Sequence, residues 1–275
     1  MSSILIPDEK LPEALSLLSA ERLGVYTAIT GDVRTAIELH NLMLQTSAAL
    51  MPVTAMIEIA LRNSICDRLG RHFGTVDWLQ SPPPPFNWRG EESEALRRSK
   101  RHAQQASYAK RNQYQKRQLD RLAFPGGMPE SLSHQDRVKA RRQHIQITFG
   151  QLVAQLTLGF WKRFFSTDYE ASLWDRALKK LFPDIGFTRS NVAENLEVIY
   201  QARNRAAHHE PIFGSKLDQL LTSIDVFVEN FGPKLPDGVT LLAIMTEANR
   251  DELRSKAGML SDAMARFNVG AIGDK

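Results

Sequence analysis

The run Gln201-Ala202-Arg203-Asn204-Arg205-Ala206-Ala207-His208-His209-Glu210 holds the residue types that can break an RNA phosphodiester without a metal. Histidine moves protons near neutral pH, and arginine holds the charge that develops on a phosphate during transfer. Spacing alone does not single this run out. Arg34 to His40, Arg97 to His102 and Arg137 to His144 satisfy the same loose interval, so context has to discriminate. Three details do. Asn204 follows Arg203 directly and lies four residues before His208, so on a helix it can face and orient that imidazole. The apolar row Val192, Leu196, Ile199 would next be occupied by Arg203, where a charge needs a partner or a polar cleft. Pro211 and Gly214 then stop the helix, leaving His208 at a terminus that substrate can reach. A structural reading of the same residues competes: Arg203 and Asn204 in a network, with both histidines capping a helix C-terminus where cations suit the dipole.

The elements that would position this run are nearly all helical. Apolar residues recur at helical spacing through most of the chain, and no alternating pair of runs is joined by an Asn-Gly or Asp-Gly turn. The expected fold class is all-α. Pro12 opens a helix over Glu13 to Ile29, and Asp32 caps a second carrying Val33, Ala36, Ile37, Leu39, Met43 and Leu50. Pro52 sits where a third would begin, with Ile57, Leu61, Ile65 and Leu69 in one row. The prolines Pro82 to Pro85 read as a rigid linker, and Glu91 to Leu122 as a helical stretch polar on nearly all sides. A further helix runs from Ser133 into the apolar stretch ending at Trp161, and Asp168 to Leu181 is short and amphipathic. Ser190 is the N-cap expected for the helix that carries the Arg-Asn run, and helices from Ser215 and Thr240 close the chain. The expectation is one body over 1–275, with 82–144 as a proline-rich linker and basic helical elaboration within it.

Composition narrows the class. Hydrophobic residues make up 43% and charged residues 24%, ordinary values for a soluble globular chain. The single Cys66 excludes an internal disulfide framework and a multi-cysteine zinc site, as expected in a reducing compartment. Neither a signal peptide nor a membrane span is visible, so a cytoplasmic location is expected. Charge is uneven. From Arg89 to His144 fourteen Lys and Arg face six carboxylates, net +8, so with +4 overall the remainder carries −4. A basic middle in an otherwise acidic chain points to a polyanionic partner, and RNA is the partner expected. Lys110, Tyr114, Arg117 and Arg121 would form one helical row of three cations and an aromatic, able to meet phosphates and stack on a base; the competing reading is a solvated face. No Walker-type or dinucleotide glycine loop occurs, nor paired carboxylates at metal-like spacing. No cofactor and no metal are expected.

The stretch Tyr200 to Phe213 resembles the signature of Abi-like (abortive infection) proteins of the HEPN ribonuclease group. Upstream, Glu58-Ile-Ala-Leu-Arg62-Asn63 is similar to the Glu-x-x-Leu-Arg-Asn segment of those proteins. Leu158-Gly-Phe-Trp161, with Phe164-Phe165 and then Leu173-Trp174, is similar to their Gly-Phe-Trp segment and the short helix after it. The three matches fall in order between about residues 20 and 230; the segment through Arg142 has no counterpart among them. The resemblance implies a HEPN-like helical bundle and a metal-independent endoribonuclease of phage defence or toxin type, acting as a homodimer or higher oligomer. His208 would be general acid or base, Arg203 would stabilise the transition state, and Asn204 would position His208 or a phosphate. His209 is a second candidate base. Arg203 and His208 are five residues apart, about 140° around an ideal helix, so a second copy of the chain would complete the site. An inhibitory or triggering partner would restrain such an activity.

Glu58 and Arg62 have two readings. They form an exposed i,i+4 pair, or, if their helix packs on the one bearing the motif, Glu58 neutralises Arg203 or Arg62 lines the cleft. For the whole chain the alternative function is a non-catalytic, all-helical RNA-binding or assembly subunit of a defence system.

Overall fold

The computed structural model describes residues 6–267, and among them the chain forms α-helices and short tight helical turns without a β-sheet. An isolated bridge between Lys234 and Thr240 is the β feature there. The chain is all-α. It divides into two units, one made of Met1–Ser64 with Lys179–Lys275 and the other of Ile65–Leu178. The whole basic segment 82–144 belongs to the second.

In the first unit, α1 (Leu11–Leu18) and α2 (Ala20–Thr30) divide the single helix expected over Glu13 to Ile29. Ser19 separates them at φ 67°, and its hydroxyl accepts the Arg22 N–H to cap α2. The second and third expected helices are instead one, α3 (Val33–Phe73), which is continuous through Pro52 and whose residues from Ile65 onward belong to the second unit. Burial explains the continuity. Leu50, Val53, Ile57 and Leu61 are at most 1% exposed, and each contributes about 1.5–3 kcal/mol, against about 3 kcal/mol for an interior proline. Pro52 also lies on the solvent side, as does Ala48, whose carbonyl loses its usual donor. By length and composition α3 would pass as a membrane span, but so does the core helix of a bundle, and this stripe is enclosed by protein.

The unit is completed by α9 (Arg189–Ala207), α10 (Ser215–Asn230) and α11 (Leu241–Ala265), with α10 packed against both others. The N-cap of α9 is Thr188 rather than Ser190: its hydroxyl takes the Asn191 N–H while the Asn191 side chain reaches back, a reciprocal pair that Ser190 cannot form. Gly214 and Thr240 stand at the N-caps of α10 and α11 as expected.

In the second unit the polar stretch Glu91 to Leu122 is two helices, α4 (Gly90–Ala109) and α5 (Gln113–Ala123). Asn112 breaks them with a capping box to Gln115. Nor is α4 polar all round, since Leu96, Ser99 and Ala103 are buried. The helix expected from Ser133 to Trp161 is three: α6 (His134–Gln143), α7 (Phe149–Val153) and α8 (Leu158–Lys162). Thr148 caps α7 with a second capping box, which explains the restart. Residues 167–181 are short 3₁₀ and π turns rather than one α-helix. Trp78, Trp88, Phe160, Trp161, Phe164 and Tyr169 form an aromatic core there, with Trp88 stacked on Phe164 at 5.1 Å. The Gly-Phe-Trp segment is therefore packing.

Candidate active site

The C-terminal end of α9 carries the motif. Its buried face is Val192, Leu196, Ile199, Ala202 and Ala206. The apolar stripe thus continues through two alanines, not through Arg203 as the four-residue step from Ile199 implies. A step of three to Ala202 and seven to Ala206 follows the 3.6-residue period as well. Arg203 sits beside that stripe, half-buried. Its Nη1 donates to Asn204 Oδ1 at 3.5 Å, the outer limit of a hydrogen bond, and among the described residues no carboxylate pairs with it.

That contact turns the Asn204 amide toward Arg203. No hydrogen bond joins it to the His208 side chain among the described residues, so the i,i+4 pairing expected of Asn204 and His208 is not made. His208 is the C-cap, exposed, its backbone N–H shared between the carbonyls of Asn204 and Arg205 at 3.0 and 3.2 Å. His209 follows in the left-handed region at φ 56°. The His209 N–H bonds Ala206 O at 3.1 Å and the Glu210 N–H bonds Arg205 O at 2.8 Å. This is a Schellman ending with histidine where glycine is usual. The helix therefore stops at His209, before Pro211 and Gly214 act. Arg205 Nε donates to Pro211 O at 3.2 Å and lies 3.8 Å from the Glu210 carboxylate, so that cation is already engaged.

Glu58 and Arg62 are both half-buried on α3. Neither expected ion pair forms among the described residues: Glu58 pairs with neither Arg203 nor Arg62, and Arg62 Nε points to Asn63 Oδ1 at 3.5 Å.

Residues distant in sequence join the turn instead. Arg22 on α2 donates from Nη1 to the His209 carbonyl at 2.9 Å. One turn along α2, Tyr26 meets His40 edge-on, ring centroids 5.2 Å apart. Burial first, then the positive charges of Arg22 and His209, hold the His40 imidazole below its ordinary value. Burial likewise pushes the Tyr26 hydroxyl up to about 12, against the opposing pull of Arg22. No local spacing could reveal this cluster, because 187 residues separate Arg22 from His209. The Arg34 to His40 interval is thus a decoy that nonetheless contains a residue beside the motif.

The basic segment of the second unit is less free than its composition suggests. Asp120 takes paired hydrogen bonds from Arg137 (3.1 and 2.6 Å) and from Arg141 (2.6 Å twice). These bonds, Arg141 first, hold its carboxyl well below the usual range. Arg141 also donates to the Tyr108 hydroxyl, and Lys116 stands 5.1 Å over the Tyr108 ring. Such groups hold α4, α5 and α6 together. Lys110 is the C-cap of α4 while Tyr114, Arg117 and Arg121 lie on α5, so the expected four-residue row is broken by the Asn112 capping box. Tyr114, Arg117 and Arg121 share the exposed side of α5, opposite buried Leu119.

No group of three or more His, Cys, Asp or Glu among the described residues could hold a metal ion. No family model, curated protein or solved structure matches the chain. What the side chains offer is a half-buried guanidinium that no carboxylate among the described residues pairs with, an exposed imidazole at the end of the same helix, and a further guanidinium at the adjoining turn.

Proposed function

We propose that the chain is a metal-independent endoribonuclease of the HEPN type, acting in phage defence by abortive infection or as a toxin. The observation that carries this reading is Arg203: among the described residues no carboxylate pairs with this half-buried cation, an arrangement that is costly unless an anion arrives, and His208 lies exposed at the end of its helix. On this reading His208 takes the proton of the ribose 2′-hydroxyl, or delivers one to the leaving 5′-oxygen. The 2′-oxygen attacks phosphorus, the P–O5′ bond breaks, and the products carry a 2′,3′-cyclic phosphate and a 5′-hydroxyl. Arg203 stabilises the charge of the phosphorane-like transition state, with Asn204 holding the guanidinium. DNA, lacking the 2′-hydroxyl, is not cut.

The roughly 140° between Arg203 and His208 favours a site completed by a second copy. Mixing tests this. His208→Ala and Arg203→Ala proteins are each expected to be inactive on total RNA and to regain part of the activity when mixed. Binding of RNA without fragments from the wild type would instead identify a non-catalytic RNA-binding subunit.

A further inference from the structure

The turn after α9 is held in an unfavourable shape. His209 adopts φ 56°, a left-handed conformation in which a side chain bearing Cβ is disfavoured. Two backbone hydrogen bonds close the turn from within. One bond comes from outside: Arg22 Nη1–H to the His209 carbonyl, 2.9 Å. A charged donor on a single carbonyl makes a stronger bond than a neutral one.

Arg22 is placed to do this by its own helix. Ser19 caps α2 on the Arg22 N–H, and Leu23, Tyr26 and Ile29 anchor α2 in the core at 0, 2 and 8% exposure. The guanidinium itself is exposed and adds nothing to that packing. Behind it His40 is 5% exposed, and both its Nε2 and the Tyr26 hydroxyl are buried without a hydrogen-bond partner. The charges felt by His40 are Arg22 and His209, both basic. Among the described residues no ion pair joins Arg22 to a carboxylate, and the carbonyl of His209 is its acceptor.

We infer that Arg22 is a positioning residue for His208: by clamping the left-handed His209 turn it sets the direction in which the neighbouring imidazole points. This rests on the reading of His208 as the general acid or base. The clamp itself is testable without it.

The experiment compares the full chain with Arg22→Ala, Arg22→Lys, His209→Gly and the Arg22→Ala/His209→Gly double variant. Hydrogen exchange at the His209 and Glu210 amides should quicken about tenfold in Arg22→Ala, with residues 192–202 unchanged. The double variant should recover slow exchange, because glycine occupies this conformation without strain and no longer needs the clamp. In RNA cleavage Arg22→Ala should lower kcat at unchanged KM. Lysine should restore part of it, and the double variant should return toward the His209→Gly level. Unchanged amide exchange in Arg22→Ala would overturn the inference, as would a loss expressed wholly in KM, which would make Arg22 a substrate-phosphate ligand. Absence of cleavage by the wild type, with the exchange pattern as stated, would count against the ribonuclease reading and leave the clamp standing.

Discussion

Arg163, on a short 3₁₀ turn, and Arg203, near the end of α9, are both partly buried arginines, and they are treated oppositely. Arg163, 33% exposed, donates to Glu92 at 2.7 Å, pairs with the Glu91 carboxylate at 3.1 Å, and lies 3.8 Å from Asp168. Glu92 is itself 1% exposed and takes a second hydrogen bond from the Tyr169 hydroxyl at 2.7 Å. Burial would raise that carboxyl, but the bonds from Arg163 and Tyr169 outweigh it and hold it below the usual value. Arg203 has one amide at 3.5 Å. A cation surrounded by carboxylates is spent on the fold, whereas one left without them is available to an incoming anion. The same contrast recurs within the basic segment, where Arg137 and Arg141 are committed to Asp120 and Arg117 and Arg121 stand outside.

The largest effect is expected at the motif. His208→Ala should lower RNA cleavage by about two to four decades, the usual weight of a positioned proton-transfer group, while the urea midpoint stays put. Undiminished cleavage would remove the distinction. At the committed site the pattern should invert. Glu92→Ala leaves Arg163 and Tyr169 without their shared acceptor and should cost about 3–5 kcal/mol of stability in urea unfolding. A loss below about 1 kcal/mol would mean that solvent replaces the carboxylate.

A smaller effect is expected at His40. Its folded value lies below its ordinary one, so as pH falls below about 6.5 the unfolded chain takes up the proton first and stability declines. His40→Phe keeps the ring against Tyr26 and should flatten this part of the stability profile between about pH 6.5 and 5 relative to wild type. An unaltered slope would show that His40 stays neutral in neither state preferentially. Smallest should be the outer face of α5. Arg117→Ala and Arg121→Ala together should reduce the slope of log affinity for RNA against log salt by about one to two, with no change in unfolding. Arg137→Ala, by contrast, should change stability more than the salt slope.

Much of the helical architecture was readable from periodicity, because amphipathic rows such as Val192, Leu196, Ile199 report which face must be buried. Where the reading failed, a local signal met a tertiary one. Pro52 reads as a boundary, yet burial of Leu50, Val53, Ile57 and Leu61 carries α3 through it. Ser19 and Asn112 are polar residues in helical stretches, and each instead divides two helices by capping the second. Both are legible in hindsight as N-cap types, though such residues also occur inside helices.

For the candidate site, the residue types and their order are written in the chain: Arg203, Asn204 and His208 near a helix end, with one cysteine and a basic middle segment. Covalent spacing and helical period are local properties, and these are what a sequence encodes directly. Tertiary structure alone decided which charges are neutralised. It committed Arg163 and Arg141 to carboxylates, left Arg203 without one among the described residues, parted Lys110 from α5, and brought Arg22 and His40 to the His209 turn. Pairing depends on which side chains meet across the fold, and the interval between residues along the chain carries no record of that.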